Sequence, residues 1–203
     1  APFAFPGDPA FYRPLGVRKE FDIFMLGQFS SLSASTATKA YILDTLCAEG
    51  FSVFAAGVGL TQLAIRKEFP HLRKLNILKG AVVPIEEANE FYNKSKIVLA
   101  TGHPRDKGGL HPRVVEGALS GSFVLADAPV SMREYFGEAI TTFDSIRDLS
   151  AKISYYLAHE AERERQAAEA HAIALRRYTY RSCAHEMLSF IFPSLSAHHT
   201  RHS

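Results

Sequence analysis

From residue 21 onward, short apolar runs alternate with longer segments in which apolar residues return every three to four positions. The runs at 21–27 (FDIFMLG), 51–57 (FSVFAAG), 75–80 (LNILKG), 96–101 (KIVLAT), 122–127 (SFVLAD) and 139–143 (AITTF) have the length and apolarity of buried strands. The segments between them, at 37–50, about 60–69, 85–95, 112–121 and 129–136, carry the helical period. Gly50 closes the first helix and Pro84 opens the third, while the fourth has Pro112 in its first turn and Gly121 at its end. Beyond residue 145 the pattern is helical only, at roughly 146–157, 160–177 and 180–191. Apolar strands alternating with helices predict an α/β domain with a parallel sheet covered on both faces. Six strands in that rhythm predict a Rossmann-like doubly wound sheet in the order 3-2-1-4-5-6, with extra C-terminal helices.

Residues 1–20 hold four prolines and neither period, so they read as a linker or strap lying over a surface. The folded domain is expected over 21–192 and a flexible tail over 193–203. The chain begins Ala1-Pro2-Phe3 without Met, and 1–20 are expected to link it to a further N-terminal domain. Composition narrows the picture further. Of 203 residues 47% are hydrophobic and 22% charged, which excludes a disordered chain. The net charge of +2 does not announce a nucleic-acid partner. Cys47 and Cys183 match no metal or redox spacing and are expected to be reduced packing residues. No apolar run reaches the ~18 residues of a membrane span and no signal peptide is visible, so a cytoplasmic protein is expected.

In open parallel sheets, ligands bind beyond the carboxyl ends of the strands, where the strand order reverses. Four segments converge there: Gly27 to Ser31 with Ser30 among them, Gly57-Val58-Gly59, the loop Thr101–His111, and Asp127-Ala128-Pro129. Neither G-x-G-x-x-G after the first strand nor a Walker P-loop occurs. The stretch TGHPRDKGGLHPRVVEGALSG is the most informative. Gly108 and Gly109 permit close backbone approach, and the loop runs into a helix N-terminus with free amides. Arg113 in the first helical turn opposes the helix dipole unless an anion sits there, and Arg105 and Lys107 stand nearby. Those groups describe a phosphate or diphosphate pocket; an Arg113–Glu116 surface pair at i, i+3 explains Arg113 equally well. Glu116, on the same helical face, has the chemistry to accept hydrogen bonds from ribose hydroxyls, or is an exposed helical carboxylate. His103, Asp106 and His111 have no standard metal-site spacing, so no metal is assigned; His103 is a candidate contact to phosphate or substrate.

The runs YNKSKIVLAT, GGLHPRVVEGALSGSFVLAD, REYFGEAI, FDSIRDLSAKISYYLAHEAERERQAAEAH and RYTYRSCAHEML together resemble one family. They are similar to the C-terminal nucleotide-binding half of GT-B glycosyltransferases, and within it to the glycosyl transferases group 1 domain of CgeB-type spore-maturation proteins. Members read asn-pro-Arg-x-x-Glu-ala-x-x-x-Gly-x-phe-val-leu-x-Asp, matched here by His111 to Asp127. The resemblance covers roughly residues 12–192. It implies transfer of a sugar from a nucleoside diphosphate sugar to an acceptor held by an N-terminal domain, with no cofactor and no metal strictly required. It also implies that Glu116 contacts the donor ribose, and that Arg113 and the amides of Gly108, Gly109 and Leu110 face the diphosphate. Val82 and Val83 would offer backbone contacts to the base. Arg113 and His103 are thus the catalytic candidates; Glu116, Lys107, Gly108, Gly109, Leu110, Gly27, Ser30, Val82 and Val83 are the donor-binding ones. The chain departs from the retaining members of the fold at Gly108, where they carry a sugar-facing Glu eight positions before the ribose Glu. That departure leaves a second reading open, a non-catalytic nucleotide- or sugar-binding module acting in assembly. An epimerase or phosphorylase half is a third.

Overall fold

A computed structural model describes residues 5–29, 34–64, 66–102, 110–127 and 129–192. Among them the strands β1 (Phe21–Leu26), β2 (Val53–Ala56), β3 (Asn76–Lys79), β4 (Ser95–Ala100), β5 (Val124–Ala126) and β6 (Thr141–Thr142) form one sheet. All its pairings are parallel, in the order β3-β2-β1-β4-β5-β6. This is the doubly wound order the strand–helix rhythm predicts, with its switch point between β1 and β4.

Strand periodicity sorts the apolar residues into two cores. Ile23 and Met25 of β1, Ile97 and Leu99 of β4 and Leu125 of β5 face one side. There they meet Leu43 and Leu46 of α1 (Ala34–Ala48) and Leu149 and Ile153 of α6 (Ile146–Ala158). Phe24, Leu26, Val98, Ala100 and Val124 face the other side. That side is covered by α3 (Ile85–Lys94), α4 (Pro112–Leu119), α5 (Pro129–Phe136) and α7 (Glu160–Arg177). Each large side chain so enclosed stabilises the fold by about 1.5–3 kcal/mol. In α4, Gly117 lets the helix lie against the sheet, since a Cβ there would fall 2.8 Å from Cγ2 of Val124.

Two expectations need correction. The helix after β2 ends early: α2 is Leu60–Ala64, and a separate 3-10 helix spans Pro70–Lys74. Asp44 of α1 starts that second turn, its Oδ1 accepting from the amides of His71 (2.7 Å) and Leu72 (3.0 Å). A carboxylate from a distant helix thus sets the break, together with Pro70. Cys47 is a buried free thiol, which burial pushes up to about 11, but Cys183 is not a packing residue. It lies partly exposed on α8 (Tyr180–Ile191), a helix that buries none of its residues.

Residues 5–20 run as a strap. Gly7 pairs with Thr179, and its amide donates to the Tyr178 carbonyl at 2.8 Å. Further on, Asn89 and Asn93 of α3 grip the strap backbone: their Oδ1 atoms accept from the amides of Arg13 (3.1 Å) and Leu15 (2.7 Å). The buried Asn89 and Asn93 side chains thus find main-chain partners in the strap and fix its path over α3.

Candidate functional site

At the carboxyl edge of the sheet, beside the β1–β4 switch point, lies an open cleft of about 450 Å³. Its floor is the pair of turns that follow β1 and β2. The Gly57 Cα approaches the Gly27 carbonyl so closely that a Cβ would overlap it, and Gly57 has φ +139, so only glycine fits. Hydrogen bonds hold this floor: the Gly27 amide to Ala56 O (3.1 Å), Phe29 to Val58 O (2.8 Å) and Gly57 to Lys79 O (2.8 Å). Val82, Val83 and Arg113 also line the cleft. Gly27, Val82, Val83 and Arg113, separated in sequence, are therefore brought together.

Glu116 stands one helical turn behind Arg113 and does not itself line the cleft. Its Oε2 accepts from Arg113 Nη1 at 2.6 Å and from the Tyr92 hydroxyl at 2.8 Å. The i, i+3 ion pair that competed with the phosphate reading is thus present, with the carboxylate only 13% exposed. Burial lowers the Arg113 pKa, but Tyr92 and Glu116 raise it by more, and the guanidinium is held above its ordinary value. Burial and the Glu116 charge push the Tyr92 phenol well above its usual range. Arg113 is therefore a permanent cation at the mouth of the cleft, aimed by a carboxylate that is itself anchored in the core.

The start of α4 differs from the row of free amides expected. His111 takes the N-cap: its Nδ1 accepts from the Arg113 amide at 3.3 Å, and its carbonyl accepts from Val114 at 3.0 Å. Pro112 has no amide to offer. The Leu110 side chain is core, 1% exposed, which leaves only its backbone for ligand contact. His103, Lys107, Gly108, Gly109 and Ser30 lie outside the described residues, as do Arg105 and Asp106.

Two residues that sequence reasoning missed, Lys39 and Tyr12, join the site, together with Thr101 from the start of the expected loop. Lys39 of α1 brings its ammonium to 3.6 Å from where a Gly27 Cβ would stand. Burial and the Arg113 charge lower its pKa, while Asp127 at the end of β5 opposes them. Tyr12 of the strap lines the cleft beside Arg113 and stacks obliquely on Tyr92, ring centroids 6.2 Å apart. Burial, then Glu116, raises its phenol. Thr101, at the end of β4, buries a hydroxyl with no hydrogen-bond partner among the described residues. Next to it the Gly102 amide donates to Asp127 Oδ1 at 2.8 Å. Nothing in the local sequence marks Lys39 or Tyr12, because only the fold brings Tyr12 into the cleft and Lys39 beside its Gly27 wall.

The arrangement offers one cation, Arg113, in the lining of a largely apolar cleft, and a second, Lys39, beside its Gly27 wall. It suits a ligand with an anionic centre and a flat or apolar head. Comparison with known proteins supplies the family. Residues 40–189 match the model of the family described as glycosyl transferase-like. No curated protein matches the chain in sequence. Among solved structures, sucrose-phosphate synthase from Thermosynechococcus elongatus superposes with TM-score 0.71 at 12% identity, covering 95% of this chain and 52% of that one. HepE from Anabaena, solved in complex with UDP-glucose, gives TM-score 0.64 at 18% identity over 92% of this chain and 55% of its own. The C-terminal domain of the group 1 glycosyl transferase LpcC from Francisella tularensis gives 0.63 at 12%, covering 86% of this chain and 99% of that domain. The chain thus spans about half of the first two proteins and nearly all of the isolated C-terminal domain. With most of its length matched by the family model, and a sheet that superposes on the C-terminal domain of a group 1 enzyme, this chain belongs to the glycosyl transferase-like family.

Proposed function

We propose that this chain is the donor-binding domain of a glycosyltransferase that moves a sugar from a nucleoside diphosphate sugar to an acceptor. The observation that carries the reading is the switch-point cleft lined by Gly27, Val82, Val83 and Arg113, with the Lys39 ammonium beside Gly27 and near enough to Arg113 to feel its charge. The diphosphate sits against Arg113, with Lys39 nearby, and the base lies near the backbone of Val82 and Val83; the ribose contact that the resemblance assigns to Glu116 falls to its Oε1, since Oε2 is taken by Arg113 and Tyr92. The resemblance assigns His103, Lys107, Gly108 and Gly109 to the phosphate side as well. As the glycosidic bond breaks, negative charge grows on the departing diphosphate, and two cations already in place stabilise it without reorganisation. No metal is needed for that step. HepE holds UDP-glucose, which makes a uridine donor the first to try. The reading extends to a CgeB-type member working in the cytoplasm, with the acceptor held by a further domain and little turnover from this one alone.

Calorimetry of this domain against UDP, GDP, ADP, CDP and dTDP tests it. Binding of one diphosphate, weakened by about 1.5–3 kcal/mol in Arg113→Ala, is the expected result. If Glu116 reads the ribose, Glu116→Gln narrows the gap between that nucleotide and its 2′,3′-dideoxy analogue. Unchanged affinity in a folded Arg113→Ala protein would overturn the diphosphate assignment. A domain that binds none of the five favours the non-catalytic module, which the missing sugar-facing Glu at Gly108 motivates.

A further inference from the structure

The opposite edge of the sheet, at the amino ends of the strands, carries a second cavity of about 290 Å³. Its apolar surface comes from Pro14 of the strap, Phe123 ahead of β5, and Ala167 and Ala168 on α7. Five ionisable side chains complete the lining, and their partners can be followed one by one. Lys96 is neutralised by Asp22, whose Oδ1 lies 2.6 Å from its ammonium. His171 has Nδ1 3.0 Å from the Ala118 carbonyl, so that nitrogen carries the proton and Nε2 is the one left over.

Lys19 and Arg163 are held differently. The Lys19 ammonium donates to Asn93 O at 2.8 Å, and Arg163 Nη1 donates to Tyr156 O at 2.7 Å. Both acceptors are main-chain carbonyls near the carboxyl ends of α3 and α6, a favourable place for a cation but one without full negative charge. Glu160 stands 3.5 Å from Arg163 Nη2, yet its side chain is 70% exposed, where solvent screens the pair. Burial and the neighbouring Arg163 charge pull Lys19 below its ordinary value, and Glu164 only partly offsets them. Helix capping accounts for each cation separately. It does not account for two mutually repelling cations set on one cavity beside an apolar floor, an arrangement that a bound anion would relieve.

We propose that this cavity binds a small organic carboxylate, its charge between Lys19 and Arg163 and its apolar body over Phe123 and Ala167. The volume sits at the small end of ligand pockets and suits one or two fused rings. Glu164, also in the lining, disfavours a doubly charged phosphate and selects a monoanion. The site stands on the far edge of the sheet from the nucleotide cleft and does not depend on the reading of that cleft.

The test is an amide chemical-shift titration of the whole chain with 2-naphthoate, and separately with neutral 2-naphthamide. Saturable shifts at residues 167–171 are expected with naphthoate, with naphthamide at least about tenfold weaker and Lys19→Gln weakening naphthoate by a similar factor. Ala168→Phe, which fills the cavity from an exposed position on α7, should abolish the shifts, so the test survives even if Lys19→Gln fails to fold. Absence of saturable shifts overturns the proposal, as does naphthamide binding as tightly as naphthoate. Undiminished binding in a folded Lys19→Gln or Ala168→Phe protein does the same.

Discussion

Helices α4 and α8 have comparable apolar patterns and opposite fates. In α4, Val114, Val115, Ala118 and Leu119 form one stripe and are all buried against the sheet and its neighbours. In α8, Ala184, Met187, Leu188 and Ile191 make an equally regular stripe, yet none of the helix is buried, and Leu188 is 55% exposed. Periodicity therefore reports that a helix has an apolar face, and nothing about what covers it. What holds each helix also differs. Burial holds α4 between β4, β5 and α7; α8 depends on its capping box, in which Thr179 and Ser182 satisfy each other's amides.

The sharpest way to break the comparison is to truncate one side chain in each stripe. Leu119→Ala should cost about 2–5 kcal/mol in a urea titration, because it opens a cavity in a closed core. Tyr92→Phe comes next: it removes the phenol that anchors Glu116 and should cost about 1.5–3 kcal/mol by the same measurement. Thr179→Ala should cost about 1 kcal/mol and show it locally, as faster amide exchange in the first turn of α8 with α4 unchanged. The smallest effect is expected from Leu188→Gln, within about 0.5 kcal/mol of the parent. A large loss from Leu188→Gln would show that the α8 stripe is covered in solution after all.

Much of the fold was readable in the chain because its signals are local. Gly50, Pro84, Pro112 and Gly121 punctuate the helices, and the strands are apolar enough to name a sheet covered on both sides. The misreadings have long-range causes. The helix that begins at Leu60 breaks because Asp44, from another helix, joins Pro70 in starting a separate turn. The site divides in the same way. Arg113, Gly27, Val82 and Val83 sit at strand ends, in loops or at a helix start, and all four line one cleft. Lys39 and Tyr12 were invisible, since a lysine within a helix and a tyrosine in a proline-rich segment look ordinary until the chain folds. The Arg113–Glu116 pair teaches a further lesson: an ion pair and a ligand site are compatible when the carboxylate's task is to hold the cation in place.

The strap has a consequence for the integrity of the cleft. Gly7 is clasped to Thr179 at the junction of the last two helices, Asn89 and Asn93 clamp the stretch from Arg13 to Leu15, and Tyr12 between them forms a wall beside Arg113. The strap is thus tied at one point to the turn between α7 and α8 and at another to α3, with its Tyr12 in the wall of the cleft. A fragment cut to begin at the first strand would keep its whole sheet and lose one side of its pocket.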